Sequence, residues 1–512
     1  MSAGASRALL LPIDTLSNVA EYHVENFGCR ASRADGEAIA ANLRHNGLAP
    51  ADQPATARVV IVNTCSVTEE ADRQARAYVR RVRRQNPGVR VIVTGCYAQR
   101  APQELAEMAE VDAVIGNSHK ARVAEMALQF AGAPPAAVTT ESFVPISSLA
   151  TRILHDDAFA HTELATLPFA ADAQQTRPNL KVQDGCGNRC SFCIIPTTRG
   201  PSRSIALATC LDNVRRFVDN NGKELVLSGI NLGRWGRDLE PAQRFEDLVA
   251  AILTQTALPR LRLSSIEPMD WSTDLLALYR EFAGHPERGS ARDASRAQSK
   301  DLPSASNSGE SLRRSSRGAA PCTLYPRLAR HAHLPLQSGS DAILRRMYRR
   351  YRPWHYAERL AAIRGLLPDA AIGADVMIGF PGETDALFRE SYDFIAAQPF
   401  TYLHLFPFSA RPSTPAWELH RQDPVPARAV QERMAALRDL MAEKSRAFRA
   451  GFIGRSLSAV TVESGLGSTT RSVTDNFLKL TLDEAVPANR LVSARITALT
   501  ADGLRGTTVF TH

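Results

Sequence analysis

Three of the chain's eight cysteines sit in one short loop, Gly185-Cys186-Gly-Asn-Arg-Cys190-Ser-Phe-Cys193. A C-x3-C-x2-C run offers three thiolates and no fourth local ligand. A tetrahedral structural zinc site would have to borrow its last ligand from elsewhere. An iron-sulfur cube makes a different demand: three cysteines hold three irons and leave the fourth open to a small molecule. Gly185 and Gly187 let the backbone bend closely around a bulky group, and Phe192 can shield it from water. Three more cysteines stand far apart, in Phe-Gly-Cys29, Asn-Thr-Cys65 and Thr-Gly-Cys96. A lone cysteine is most often a small buried hydrophobe. Three lone cysteines that each follow a predicted strand instead suggest a shared site.

The elements that must position these residues can be read from periodicity. In residues 18–130, Tyr22-His-Val, Arg58–Asn63, Val89–Thr94 and Val111–Ile115 read as buried parallel strands separated by helical patterns. One such helix runs from about Thr68, a plausible N-cap with Glu69 and Glu70 in the first turn, to Arg84 before Asn86-Pro-Gly. The βαβαβ order predicts an α/β fold with a doubly wound parallel sheet. Parallel strands put Cys29, Cys65 and Cys96 at one sheet edge, where ligands of open α/β sheets collect. Arg73, Arg76, Arg80 and Arg84 form a basic stripe, either a phosphate track or a solvated face.

Residues 131–174 loosen into Pro, Ala, Ser and Thr and read as a connection. In residues 175–448 six strand-like segments alternate with helical patterns, beginning at Asn179, Glu224, Arg260, Arg330, Gly373 and Tyr402. They predict a partial (β/α)6 barrel with its active site at the carboxyl ends of the strands, where the cysteine loop also falls. Within it, residues 284–320 are rich in Ser, Arg, Ala and Asp, with Leu302 and Leu312 as the only large aliphatics. That composition predicts a disordered, dispensable insertion. Residues 449–512 change to short alternating strands and predict a small C-terminal β-barrel. Cys210 and Cys322 read as structural or incidental.

A length of 512 residues predicts several domains, and three fit this division. Hydrophobic content of 44% and charged content of 22% are ordinary for a globular protein. No apolar run approaches the ~18 residues of a membrane span, and Ala8-Leu-Leu-Leu-Pro12 is too short for a signal core. A cytoplasmic protein without a membrane partner is expected, one whose cysteines serve metal or redox chemistry rather than disulfides. The formal charge of +8 favours a polyanionic partner. An excess of arginine over lysine fits phosphate recognition but is better explained by a GC-rich genome.

The cysteine loop resembles that of the radical S-adenosylmethionine enzymes. The longer string Gln183-Asp-Gly-Cys…Cys-Ser-Phe-Cys-Ile-Ile-Pro…Arg-Gly-Pro-Ser-Arg-Ser is similar to their methylthiotransferase branch. Val62-Asn-Thr-Cys-Ser-Val-Thr and Val93-Thr-Gly-Cys-Tyr-Ala-Gln99 resemble the same branch, whereas Arg30-Ala-Ser follows Cys29 where the family commonly has Lys-Val-Asn. Leu227-Ser-Gly229-Ile-Asn-Leu-Gly233, Ser264-Ser-Ile-Glu267-Pro, His333-Leu-Pro-Leu-Gln337-Ser-Gly-Ser and Asp375-Val-Met-Ile-Gly379-Phe-Pro-Gly-Glu resemble the family's strand ends.

The resemblance implies two 4Fe-4S clusters, one on Cys186, Cys190 and Cys193 and one on Cys29, Cys65 and Cys96. It implies S-adenosylmethionine at the open iron, received by Gly229, Gly233 and Glu267, and its cleavage to a 5′-deoxyadenosyl radical. It also implies an RNA-binding, TRAM-like role for the C-terminal barrel, tRNA as partner, an external reductant and sulfur source, and a monomeric enzyme. The motifs point to the branch that methylthiolates N6-threonylcarbamoyladenosine beside the anticodon. Arg345, Arg349 and Arg350 could supply charge for that substrate's carboxylate. Isopentenylated adenosine in tRNA and a ribosomal-protein aspartate are the alternative substrates, and a metal-bound RNA-binding protein is the non-enzymatic alternative.

Overall fold

A strand that is apolar at every position needs cover on both faces of its sheet, and Val59–Thr64 is buried at every residue. In the computed structural model, which describes residues 20–132, 152–156, 159, 176–284, 325–464 and 468–511, this strand lies inside a six-stranded parallel sheet. The strands are β1 (Glu21–Asn26), β2 (Ala49–Pro50), β3 (Val59–Thr64), β4 (Arg90–Gly95), β5 (Ala113–Gly116) and β6 (Arg152–Leu154), in the order β2-β1-β3-β4-β5-β6. Val60, Val62, Val91 and Val93 face Tyr78, Val79 and Val82 of the helix Glu69–Gln85. Val59, Ile61 and Ile92 face Ile39 and Leu43 of the helix Arg30–His45, and Val123 and Ala127 of the helix Val123–Ala131. Alternate side chains of each strand thus feed cores on opposite faces, which makes the sheet doubly wound.

Thr68 caps the second helix as expected, its side chain accepting from the Ala71 N–H at 3.2 Å. The stretch read as a connection differs from expectation. It contributes β6, which adds to β5 at the sheet edge, where three residues gain backbone partners without needing an apolar pattern that sequence periodicity would reveal.

The chain divides into two compact units, Met1–Pro168 with Thr197–Arg199, and Phe169–Pro196 with Gly200–His512. The second unit carries the expected six parallel strands, β7 (Asn179–Asp184), β9 (Glu224–Gly229), β10 (Arg260–Leu263), β11 (His331–His333), β12 (Ala371–Ile378) and β13 (Tyr402–Pro407). A short antiparallel β8 (Arg203–Ser204) is added beside β7. The strands run β10-β9-β7-β8 and β11-β12-β13. A parallel bridge between Leu261 and Leu328 and the Ile266 N–H donating to the His333 carbonyl join the two groups. Of the stretch 284–320 only Gly284 lies within the described residues, and Cys322 lies outside them.

After the helix Ala427–Ala450 come β14 (Ser456–Ser464), β15 (Thr470–Thr474), β16 (Lys479–Leu482), β17 (Leu491–Leu499) and β18 (Leu504–Thr511), closed as the barrel β14-β15-β16-β18-β17. Leu457, Ala459, Leu480, Leu482, Val492, Ile496 and Leu504 fill it. Thr470–Thr474 is a fifth strand beyond the four that alternation suggested. No helix among the described residues is long and apolar enough to cross a membrane.

Candidate functional site

In the first unit the ends of β1, β3 and β4 are level, because Asn26 pairs with Asn63, Asn63 with Thr94, and Thr64 with Gly95. Cys65 therefore leaves β3 beside Cys96, which opens the helix Cys96–Arg100. Cys29 arrives through a tight turn and occupies the N-cap of the helix Arg30–His45. Gly28 makes that turn at φ +103°, and a Cβ there would stand 2.3 Å from Cys65 Cβ and 2.6 Å from its Sγ. Only glycine permits both the backbone angle and the approach.

Buried Asn63 fixes the same turn, donating to Asn26 Oδ1 at 3.0 Å and to the Ser32 carbonyl at 2.5 Å. The departure after Cys29 is accommodated here: Ser32 presents its carbonyl to Asn63, and its Oγ lies 3.7 Å from Cys29 Sγ. Cys65 and Cys96 are buried and Cys29 is exposed. Burial, and then the neighbouring Cys29 and Cys96, push the Cys65 thiol up to about 12. Cys96 Sγ accepts from Asn117 Nδ2 at 3.5 Å.

In the second unit the cysteine loop leaves β7 at Gly185, whose φ is +72°. A Cβ at Gly185 would meet the Pro201 carbonyl oxygen at 1.9 Å. The Cys186 N–H donates to the Gly200 carbonyl at 3.1 Å and the Cys193 N–H to the Cys190 carbonyl at 3.1 Å, so the loop doubles back and gathers its thiols. Ser191 anchors it, its Oγ donating to the Arg346 carbonyl at 2.7 Å. Phe192 packs against a cluster that holds Ile343, Met347, Met377 and Phe380. Burial, and then Cys190 and Cys186 after the opposing Ile195 N–H, push the Cys193 thiol up to about 12. Burial also raises Cys186, against donors from Asn188 and Asn231.

Gln183 connects the loop to the next strand end. It donates to the Gly185 carbonyl at 2.7 Å and accepts from the Asn231 N–H at 2.7 Å. Asn231 in turn points Nδ2 at Cys186 Sγ, 3.6 Å away. Gly229 backs directly onto Gln183, where a Cβ would be 3.0 Å from Gln183 Oε1. Gly233 packs on Asp270, with 2.5 Å between a would-be Cβ and Asp270 Cβ. Glu267 follows β10 and pairs with Arg349. Cys190, Glu267, Asp270, Arg234, Asn188 and Arg349 line one cleft. The structure thus brings Gly229, Gly233 and Glu267 to the strand ends that surround Cys186, Cys190 and Cys193.

Of the three arginines considered for the substrate's carboxylate, Arg349 has its charge engaged within the protein. Arg349 is a buried residue of the cleft, and its Nη1 donates to Cys190 Sγ at 3.2 Å while Nη2 pairs with Glu267. Burial opposes its charge, but Tyr351, Glu267 and Cys190 outweigh that and hold the guanidinium firmly protonated. Arg345 instead pairs with Asp341 on the surface at 2.9 Å, and Arg350 is exposed. Nothing in Met347-Tyr-Arg-Arg-Tyr-Arg352 distinguishes the buried arginine from its neighbours. Asn231 and Gln183 belong to the stretches Leu227–Gly233 and Gln183–Cys186, whose sequence alone assigns them no role. Cys210 is a buried thiol in the helix Leu207–Asp219.

Comparison with known proteins agrees with this geometry. Residues 21–116 match the model of a family described as Uncharacterized protein family UPF0004. The threonylcarbamoyladenosine tRNA methylthiotransferase MtaB of Bacillus subtilis is 30% identical over 458 residues, 88% of this chain and 88% of that protein. A tRNA-2-methylthio-N(6)-dimethylallyladenosine synthase of a Parafrankia species is 29% identical over 86% of this chain and 78% of its own length. Among solved structures the fold is similar to the radical S-adenosylmethionine methyltransferase TsrM of Kitasatospora setae, with a TM-score of 0.50 and 13% identity over 79% of this chain and 75% of that one. With identity of that extent along nearly the whole length, the chain belongs to the radical S-adenosylmethionine methylthiotransferase family.

Proposed function

We propose that this enzyme transfers a methylthio group to C2 of N6-threonylcarbamoyladenosine beside the anticodon of tRNA. The observation that carries the reading is the gathering of Cys29, Cys65 and Cys96 in one unit while a second unit holds its own C-x3-C-x2-C loop. Radical generation alone needs one three-thiol site, and sulfur transfer gives the other a purpose. The choice of the threonylcarbamoyl substrate is supported by relatives such as the Bacillus subtilis protein.

Both triplets fit 4Fe-4S clusters by the chemistry of their donors. Burial and mutual repulsion keep Cys65 and Cys193 as neutral thiols, and ligation to a cationic iron centre reverses that by taking up the thiolates. When bound, the cluster on Cys186, Cys190 and Cys193 supplies the electron that cleaves S-adenosylmethionine, and the one on Cys29, Cys65 and Cys96 supplies sulfur. The chain's residues do the positioning. The turn Gly229–Gly233, held by Gln183, offers backbone acceptors to the cofactor's amino group. Glu267, fixed by Arg349, offers a carboxylate beside it. Phe192 and its apolar neighbours keep water from the loop.

The C-terminal barrel binds the tRNA, an external reductant and sulfur source complete the reaction, and the enzyme works in the cytoplasm as a monomer. Replacing Cys186, Cys190 and Cys193 with Ala should remove about half the iron, as expected of one of two similar clusters, and all S-adenosylmethionine cleavage. Replacing Cys29, Cys65 and Cys96 should spare cleavage and abolish sulfur insertion. Substrate choice is decided by offering tRNA with each modification and analysing the nucleosides by mass spectrometry. Turnover of the threonylcarbamoyl form alone is expected, whereas turnover only of the dimethylallyl form would reassign the enzyme to the branch of the Parafrankia relative.

A further inference from the structure

Strands β11, β12 and β13 lie side by side and parallel, with His333 opposite Gly373 and Asp375 opposite His404. Side chains two residues apart on a strand share a face, so this register gathers His333, Asp375 and His404, one from each strand. Asp375 Oδ1 lies 3.2 Å from His404 Nδ1 and 3.6 Å from His333 Nε2. One ligand atom from each residue lies within 4.8 Å of the others.

His404 Nδ1 and Asp375 Oδ1 are within hydrogen-bond distance at 3.2 Å, but His333 is not joined to the carboxylate in that way. The 3.6 Å gap is too long for a hydrogen bond. A tetrahedral ion with bonds of about 2.1 Å to imidazole nitrogen and carboxylate oxygen spaces its ligand atoms by about 3.4 Å, and the two gaps bracket that value. The partner behind one imidazole fits as well. His333 Nδ1 lies 2.7 Å from Ser265 Oγ, a partner that holds the ring with Nε2 towards the carboxylate. Tyr402 stacks on His333 at 5.9 Å and tilts against His404 at 5.4 Å, walling one side. Burial grades across the group, from His333 with 3% of its side chain exposed to His404 with 52%. Two ligands are therefore anchored and one side faces solvent.

We propose that His333, Asp375 and His404 form a mononuclear site for a first-row divalent cation such as zinc, built without any of the six cysteines and open at one or more coordination positions. Two imidazoles and a carboxylate suit zinc and ferrous iron, and three protein ligands leave room for water or an oxygen-bearing ligand. The site does not depend on which nucleoside the enzyme modifies.

The test uses holoenzyme with its clusters loaded, stripped of loosely held ions with a chelator and desalted without oxygen. Zn2+ is titrated against a fluorescent zinc indicator while cluster absorbance is followed. Wild-type protein should take up one equivalent with cluster absorbance unchanged. His404→Ala, a change at an exposed side chain, should weaken uptake by more than the roughly tenfold that loss of an outer-shell partner costs. Asp375→Asn should behave alike, and Ser265→Ala should keep the stoichiometry with about tenfold weaker binding. Equal zinc affinity in wild type and His404→Ala, or no uptake by wild type at micromolar zinc, would overturn the proposal and leave a plain polar contact. Matching circular dichroism spectra keep a failed fold from imitating loss of the site.

Discussion

Arg349 places a fixed positive charge against one sulfur of the C-x3-C-x2-C loop, with Nη1 3.2 Å from Cys190 Sγ. A charge-assisted donor stabilises a sulfur more as it gains electron density, so it would favour the reduced form of the cluster proposed on this loop and raise its potential. Arg349→Gln is expected to lower that potential by about 60 mV, the one-electron equivalent of a tenfold change in equilibrium. Arg349→Lys should fall between the two, because an ammonium keeps the charge but cannot reach Cys190 and Glu267 together. A redox titration followed by electron paramagnetic resonance reads the shift directly, and an unchanged potential in Arg349→Gln would confine Arg349 to a structural role. At this scale the sequence was clear where ligands are local. Cys186, Cys190 and Cys193 are bound to lie together by their spacing, while Arg349 joins them across 159 positions and carries no local mark.

The turn from β1 into the helix Arg30–His45 shows how an element positions a thiol it does not contain. Gly28→Ala would place a methyl 2.3 Å from Cys65 Cβ at φ +103°. The left-handed backbone alone costs about 1–2 kcal/mol, and the clash adds to it. The variant should melt several degrees lower and lose iron from the first unit, while S-adenosylmethionine cleavage by the second unit persists. Gly88→Ala is the matched control, because its nearest neighbour would be 4.0 Å away, and it should change neither iron content nor melting.

Elements were the most legible level of this chain. Buried apolar runs announced β3 and β4, and Thr68 with its acidic first turn announced the helix Glu69–Gln85. The arginine stripe on that helix resolves differently along its length. Arg73 pairs with Glu70 at 2.6 Å and Arg76 turns to Glu104 at 2.9 Å, while Arg80 and Arg84 stay exposed. The short β6 and β8 escaped notice because edge strands of two or three residues are made by backbone pairing rather than by pattern.

At the scale of the whole second unit, its six-stranded core and its C-terminal barrel share a buried ionic network. Fully buried Glu224 pairs with Arg262 at 2.7 Å, Arg260 at 3.4 Å and Arg177 at 2.8 Å. Arg262 also donates to the Thr474 and Asp475 carbonyls at 2.9 and 3.1 Å, and Asp475 pairs with Arg330 at 2.5 Å. Arg262→Ala removes the shortest of Glu224's three ion pairs and leaves the Thr474 and Asp475 carbonyls without this donor, so it should cost about 3 kcal/mol in urea unfolding. A midpoint close to wild type would contradict that.

The network also sets a pH dependence. Burial pushes the Glu224 carboxyl up, but Arg177, Arg262 and Arg260 outweigh it and hold it below the usual carboxylate range. Asp475 is likewise lowered, by Arg330, Arg260 and Arg262 against burial. Carboxylates with depressed folded values contribute stability above their unfolded pKa of about 4. That contribution is lost as pH falls through the folded values. Unfolding midpoints should therefore drop steadily below about pH 4. Glu224→Gln should start lower and show a shallower acid slope.

The sequence by itself determined what short-range order can encode. The local thiol triplet, the alternation of strands and helices, and the change of period near residue 449 are each written within a few dozen residues, because side-chain periodicity and loop spacing act locally. Tertiary structure decided everything that rests on register or on polar burial. Cys29, Cys65 and Cys96 converge only because β1, β3 and β4 end level. His333, Asp375 and His404 meet only because three strands pair in one register. Arg260, Arg262, Arg330 and Arg349 are buried only because carboxylates, carbonyls or thiols from distant segments receive them. A charged side chain has the same formula in solvent and in a core, and its free energy is set by partners that the surrounding sequence does not name.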